Sequence, residues 1–326
     1  MARVLITGGG GFLGSHLARH CLARGDQVHL AVRASTNLDR VSSFFDRLTI
    51  HVVDLSDRHD VDELLGDVQP HEIYHLAVPT RPLDLPAAEE GLRRITGDLM
   101  VLANLVAAAD ASQRPPEVLV RAGSMAEYGP IPTPYRETDR EQPLNLYSAI
   151  LAAGTHYLSA LQGRLRFRAV TARLALVYGA DQNDDFFIPT VLRKLSAGEK
   201  ITIRRPDDRR DLLFIDDAIK GLMALARRAP AHVCVVNVGS GVSTSMFDVA
   251  RLIREYVGAP PTLVDVRCEA IERDGSVGIA DLRGSTELCT KLIGWTAKYD
   301  LETGLRRLIG AGASRLETAG CNGADR

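Results

Sequence analysis

The chain has 326 residues, 39 Lys and Arg against 41 Asp and Glu, a formal net charge of −2, and 45% hydrophobic and 25% charged residues. That is the make-up of an ordinary globular protein long enough for two lobes. The small charge argues against electrostatic binding to nucleic acid or an anionic membrane. Five cysteines (Cys21, Cys234, Cys268, Cys289, Cys321), scattered and never in C-x-x-C spacing, favour neither a disulfide framework nor a zinc site, and the nine histidines show no ligand spacing. No metal is expected.

Met1–Thr7 is apolar only briefly before it turns into glycines, unlike a signal peptide, and the longest apolar run, Leu99–Ala109, is far short of the roughly 20 residues of a membrane span. A cytoplasmic protein without a membrane span is expected. In chain order, strands are predicted at Val4–Thr7, Gln27–Arg33, Thr49–Val53, Glu72–Leu76, Glu117–Ala122 and Arg168–Leu174, with helices at Phe12–Ala23, Glu89–Ala109 and Leu146–Leu161. Alternating β and α at this spacing predicts an α/β fold with a Rossmann-type, doubly wound parallel sheet over residues 1–178. After Gly179 the elements shorten: helices near Phe187–Ser196, Asp217–Arg228 and Ser245–Val257, strands near Ile201–Ile203 and Cys234–Val238. Residues 179–311 read as a smaller C-terminal α/β substrate lobe, and 312–326 as a flexible tail.

Thr7-Gly8-Gly9-Gly10-Gly11-Phe12-Leu13-Gly14 follows the first strand and opens a helix. Glycines at 8, 11 and 14 suit a tight turn, backbone approach to a pyrophosphate, and close helix–strand packing; the helix N-terminus then faces the phosphates. Gly8, Gly10, Gly11, Phe12, Leu13 and Gly14 are therefore the expected cofactor cradle. An acidic residue closing the second strand would bond the ribose 2′-hydroxyl of NAD, but here Val32 is followed by Arg33, which can pair with the 2′-phosphate of NADP. NADP is expected, with NAD as the alternative. Asp54 and Leu55, after the third strand, either meet the adenine ring or serve locally, Asp54 as a helix cap.

With that block, the segments Tyr74-His75-Leu76-Ala77, Gly123-Ser124-Met125-Ala126-Glu127-Tyr128-Gly129, Pro143-x-x-x-Tyr147, Val177-Tyr178-Gly179, Arg210-Asp211 and Gly294-Trp295 fall in order. Together, from about residue 3 to 309, they resemble the extended short-chain dehydrogenase/reductases that act on nucleotide sugars. The resemblance implies a homodimer, a nucleoside-diphosphate sugar substrate, and a Ser–Tyr–Lys set. Ser124 would hydrogen-bond the reacting sugar oxygen, and Tyr147 would exchange a proton with it while lining the cofactor. Leu76 and Ala77 would also meet the cofactor, Ser124, Met125 and Arg210 the substrate. The lysine is missing: one helical turn after Tyr147 stands Leu151. Tyr147 is then expected near the free value of about 10, with roughly 0.1% phenolate at pH 7. An oxidation needing phenolate as base is penalised by up to about 4 kcal/mol, whereas reduction of a ketone needs the neutral phenol.

The Asp-Glu pair of the family's dehydratases is Met125-Ala126 here, which disfavours dehydration. Leu176 and Arg94 replace two asparagines of the resembled pattern. Arg204, Arg205, Arg209 and Arg210 crowd one segment; guanidinium forks suit phosphate, Arg210 matches the family's diphosphate-binding arginine, and the other three read as a solvated basic loop. Asp217 is expected to cap the helix after it, and His75, Asp281 and Trp295 to be structural. The expected function is NAD(P)-dependent reduction of a 4-keto-(6-deoxy) nucleotide sugar. A 4-epimerase with a substitute base is the alternative enzyme. A dinucleotide-binding protein that has lost turnover is the alternative from another class.

Overall fold

A computed structural model of the chain describes residues 1–78, 84–267 and 279–310. Cys268, Cys321 and the expected tail lie outside the described residues. In chain order the elements are β1 (Arg3–Thr7), α1 (Phe12–Arg24), β2 (Gln27–Val32), β3 (Leu48–Val52), α2 (Arg58–Val68), β4 (Glu72–His75), α3 (Ala87–Arg94), α4 (Met100–Ala111), β5 (Val118–Ser124), α5 (Leu146–Leu161) and β6 (Arg168–Leu174). There follow β7 (Leu176–Tyr178), α6 (Phe187–Ser196), β8 (Ile201–Ile203), β9 (Arg209–Phe214), α7 (Ile215–Arg228), β10 (Val235–Val238), β11 (Ser243–Ser245), α8 (Met246–Tyr256), β12 (Val264–Val266), β13 (Asp281–Leu282) and α9 (Glu287–Ile293).

Seven strands form one parallel sheet in the order β10-β6-β5-β4-β1-β2-β3. The strand period of two sends alternate side chains to opposite faces. Val4 and Ile6 of β1 enter the core shared with α1 and α7, while Leu5 enters the core under α2, α4 and α5. The order reverses between β1 and β4, which opens a crevice at the carboxyl ends of the strands. Beside this sheet, β9 pairs with β7, β11 and β13, and β8 with β12.

The strand expected near Cys234–Val238 belongs to the large sheet, not to the small lobe: β10 runs parallel to β6 at its edge. Helix α7 returns with it. Gly221 lets α7 lie flat there, since a Cβ at that position would come 2.7 Å from Val238 Cγ1. Residues beyond 179 thus serve both units.

The single helix expected over Glu89–Ala109 is broken. A π turn at Ile95–Leu99 separates α3 from α4. Thr96 Oγ1 donates back to the Leu92 carbonyl (3.0 Å) and Gly97 follows, both unfavourable to a regular ladder. The wide turn brings Arg94 and Asp98 inward together, both buried.

Candidate active site

Thr7 ends β1 and the glycines turn the chain into α1. Gly8 has φ +74°, and a Cβ there would sit 2.9 Å from the Ala77 nitrogen and the Leu76 carbonyl oxygen; the two βα turns are pressed together as only glycine allows. A side chain on Gly14 would fall on the Gly8 carbonyl, and one on Gly10 would come 2.7 Å from the Asn37 carbonyl oxygen. Gly11 caps α1 with no side-chain acceptor, so the amides opening the helix at Phe12 and Leu13 meet no capping group from the chain itself. This cradle suits a pyrophosphate.

Arg33, just past β2, is exposed and its amide donates to Thr36 Oγ1 (3.0 Å). Asp54 closes a local turn, accepting from Ser56 N (2.9 Å) and Ser56 Oγ (2.7 Å), and these bonds hold its carboxyl below the usual range, with the Arg33 charge adding to them. Asp54 is not the helix cap; Asp57 caps α2, accepting from His59 and Asp60. Leu55 is partly buried behind this turn, its carbonyl accepting from Asn104 Nδ2 (3.2 Å).

Ser124 closes β5. Its Oγ accepts from Ala126 N (3.1 Å), and the hydroxyl lies near enough to the Tyr147 phenol to favour the ionised form. Tyr147 stands in the first turn of α5, which Asn145 caps by accepting from Ser148 N (2.9 Å). Burial pushes the phenol up to about 12 and the Glu127 charge adds to it, opposed by the Ser124 hydroxyl and by the charges of Arg121 and Arg94. The free value expected from the sequence is corrected accordingly: desolvation lifts the phenol above it. Arg94 lies with its guanidinium carbon 5.9 Å from the Tyr147 ring centroid.

Five polar residues to which the sequence reading gave no role brace this pair. Glu127 Oε1 accepts from Ser124 N (3.0 Å), and its Oε2 accepts from Thr155 Oγ1 (2.8 Å) and Arg173 Nε (2.9 Å). Arg173, fully buried, also pairs with Glu141. Arg121, buried in β5, donates to Thr155 Oγ1. The signal was present: arginines inside the apolar strands Val118–Ser124 and Arg168–Leu174 are out of place unless paired.

On the substrate side two expectations change. Met125 is fully buried, its methyl packed toward Gly239 and Gly284, so it belongs to the core rather than to the crevice. Arg210 is turned toward its own lobe, donating to Asp208 Oδ2 (2.9 Å) and to the carbonyls of Arg209 (2.7 Å) and Ile279 (2.8 Å). Asp211, buried behind it, holds the 240–241 turn by accepting from Ser240 N and Gly241 N (2.9 Å each). Asp217 does not cap: it lies inside α7, which starts at Ile215, and accepts from Lys298 N and Tyr299 N (2.8 Å each). His75 is buried against Thr7 Oγ1 (2.8 Å), and desolvation pushes its imidazole down to about 3, so it is neutral and structural.

Solved structures share this architecture. A UDP-glucose 4-epimerase from Thermus thermophilus, in complex with NAD, superposes with TM-score 0.81 at 25% identity, covering 94% of this chain and 98% of its own. In sequence the chain is 27% identical to a dTDP-L-rhamnose 4-epimerase of Burkholderia thailandensis, over 94% of this chain and 93% of that protein. It is also 27% identical to a dTDP-6-deoxy-L-talose 4-dehydrogenase (NAD(P)(+)) of Kitasatospora kifunensis, over 94% of each. Residues 4–239 match the model of the NAD dependent epimerase/dehydratase family. The glycine turn, the Ser124–Tyr147 pair and the crevice between β1 and β4 all lie within that span, and the chain belongs to this family.

Proposed function

We propose that the protein reduces a nucleoside-diphosphate 4-keto sugar, most simply a 4-keto-6-deoxy sugar, with NADPH as the reductant and NADH as the alternative. The observation that carries this reading is the state of Tyr147. A phenol held at about 12 is protonated throughout the neutral range, which suits a proton donor and ill suits a base. A nicotinamide dinucleotide bound in the glycine cradle would supply the hydride. Ser124 directs its hydroxyl toward the sugar oxygen and Tyr147 gives that oxygen its proton, while Glu127 fixes the strand end that carries Ser124. Arg33, exposed just past β2, suits pairing with a 2′-phosphate and supports NADPH. Dehydration lacks support, because Met125 and Ala126 offer no group that moves a proton.

A 4-epimerase is the second reading, favoured by the dTDP-L-rhamnose 4-epimerase relative; Tyr147 would then work in both directions. The 4-dehydrogenase relative favours net redox chemistry. The homodimer implied by the resemblance belongs to the same proposal; exposed Leu92, Ile95 and Met100 give the α3–α4 stretch an apolar face. The test is NADPH oxidation driven by a nucleoside-diphosphate 4-keto-6-deoxy sugar. Tyr147→Phe should lower that rate by about a hundredfold or more and leave NADPH affinity within about twofold. Retention of more than about a tenth of the rate would show that another acid serves.

A further inference from the structure

A phenol that gives up its proton inside the protein leaves a negative charge in a poorly solvated place, and that charge needs a nearby cation. One turn beyond Tyr147 the helix offers Leu151, 1% exposed. The cation comes from the sheet instead. Arg121 lies in β5 three residues before Ser124, in register with His75 of β4 and Thr171 of β6, so all three point to the α5 side. Its Nη2 donates to the Leu151 carbonyl (3.0 Å) and its Nη1 to Thr155 Oγ1 (3.1 Å). Helix α5 is notched to receive it: a Cβ on Gly154 would come 2.6 Å from Arg121 Nη2 and 2.8 Å from its Cζ. Arg121 and Leu151 line one small cavity, together with His75 and Asp98.

We propose that Arg121 is the positioning cation of Tyr147: a guanidinium delivered from β5 to the turn of α5 where a lysine is absent, holding the charge that proton transfer leaves on the phenol oxygen. This rests on the reading of Tyr147 as proton donor. In reduction the Tyr147 O–H bond breaks as the sugar O–H bond forms, and the electron pair of the broken bond stays on Oη; oxidation reverses the step. Around Tyr147, Arg94 of α3 lies 5.9 Å from the ring centroid and Ser124 closes the neighbouring strand, while Arg121 stands one helical turn along α5 at the Leu151 carbonyl, with Glu127, Asp98 and His75 about it. Of the two arginines, Arg94 is neutralised by Glu90 (2.8 Å) and Asp98 (3.6 Å). The hydrogen bonds of Arg121 go to a carbonyl and a hydroxyl, and the Glu127 carboxylate is reached only through Thr155, which donates to it (2.8 Å). An arginine keeps that charge even when buried.

The test reads the phenol without turnover. Difluorotyrosine placed at position 147 lowers the phenol's ionisation to an accessible pH, and fluorine NMR of the whole protein follows it. Arg121→Met should raise that ionisation by about one pH unit or more and lower kcat by about tenfold, with the sugar KM nearly unchanged. Arg121→Lys should keep the ionisation within about half a unit of the parent. A folded Arg121→Met protein with the parent ionisation overturns the proposal. Should Arg121→Met not fold, Arg121→Met/Leu151→Lys returns a cation to the same cavity. It should ionise at or below the parent pH, and an ionisation about one unit above it overturns the assignment. Leu151→Lys alone crowds two cations into that cavity and is expected to lower the melting temperature. Full activity in Tyr147→Phe would defeat the proton-donor reading while leaving the ionisation result intact, so the two failures are distinguishable.

Discussion

Tyr147 and Arg33 are both candidates that the sequence offers, described by it with different completeness. The position of Tyr147 is set by Pro143 and by the Asn145 cap, both visible in the chain. Its state is not, because burial and the fields of Arg94 and Arg121 come from elements 26 to 53 residues away in sequence. Met125 went astray for the same reason: next to Ser124 in sequence, it points the other way, into the core. The role proposed for Arg33 can be read from the sequence because it depends only on the end of one strand. With no carboxylate there and an exposed guanidinium in its place, Arg33→Asp should weaken NADPH binding by about tenfold or more relative to NADH, by removing a charge-assisted bond and adding repulsion. Cofactor titration measures both affinities; equal losses for the two would defeat the NADP assignment.

Among the elements, the strands of the large sheet and helix α1 stand close to their predicted ends, and α5 matches at both, because hydrophobic period and caps are local properties. What local pattern could not give is pairing. The strand at Val235–Val238 is apolar enough for either sheet, and only the flat seat of α7 on Val238 places it beside β6. The π turn between α3 and α4 was hidden for a similar reason, since a helical period runs across it. The Glu127–Arg173 pair joins the turn after β5 to β6, with both side chains fully buried. Glu127→Ala would strand Arg173, free the Ser124 amide and lose the Thr155 hydroxyl's acceptor. A destabilisation of about 3–5 kcal/mol follows for a broken buried pair, measurable by denaturant unfolding; a loss under about 1 kcal/mol would show that Glu141 alone holds Arg173.

At the scale of the molecule, the two core faces enclose several ionisable groups in their neutral forms. Tyr128 and Tyr135 are each pushed up to about 12, chiefly by burial. In the unfolded chain they ionise near 10, so above that pH the unfolded state releases protons that the folded state keeps. Stability is full below pH 10 and falls as pH rises toward 12, by about 2–3 kcal/mol for each such tyrosine. His75, pushed down to about 3, gives the opposite arm: its contribution is present above about pH 6.5 and is lost as pH falls toward its folded value. Denaturant melts across pH should show a plateau between these arms, and a stability that keeps rising past pH 10 would contradict the burial of the phenols. Among the described residues no helix is long and apolar enough to cross a membrane. The central claim, that this fold runs its chemistry as a net reduction with Tyr147 as acid, is tested most directly by the fate of one labelled hydride. With NADPH deuterated at its transferable position and a nucleoside-diphosphate 4-keto-6-deoxy sugar, the account predicts one cofactor oxidised per sugar and the deuterium bound at the former carbonyl carbon. Interconversion of two sugar epimers with no net cofactor oxidation and no deuterium in the product would contradict it.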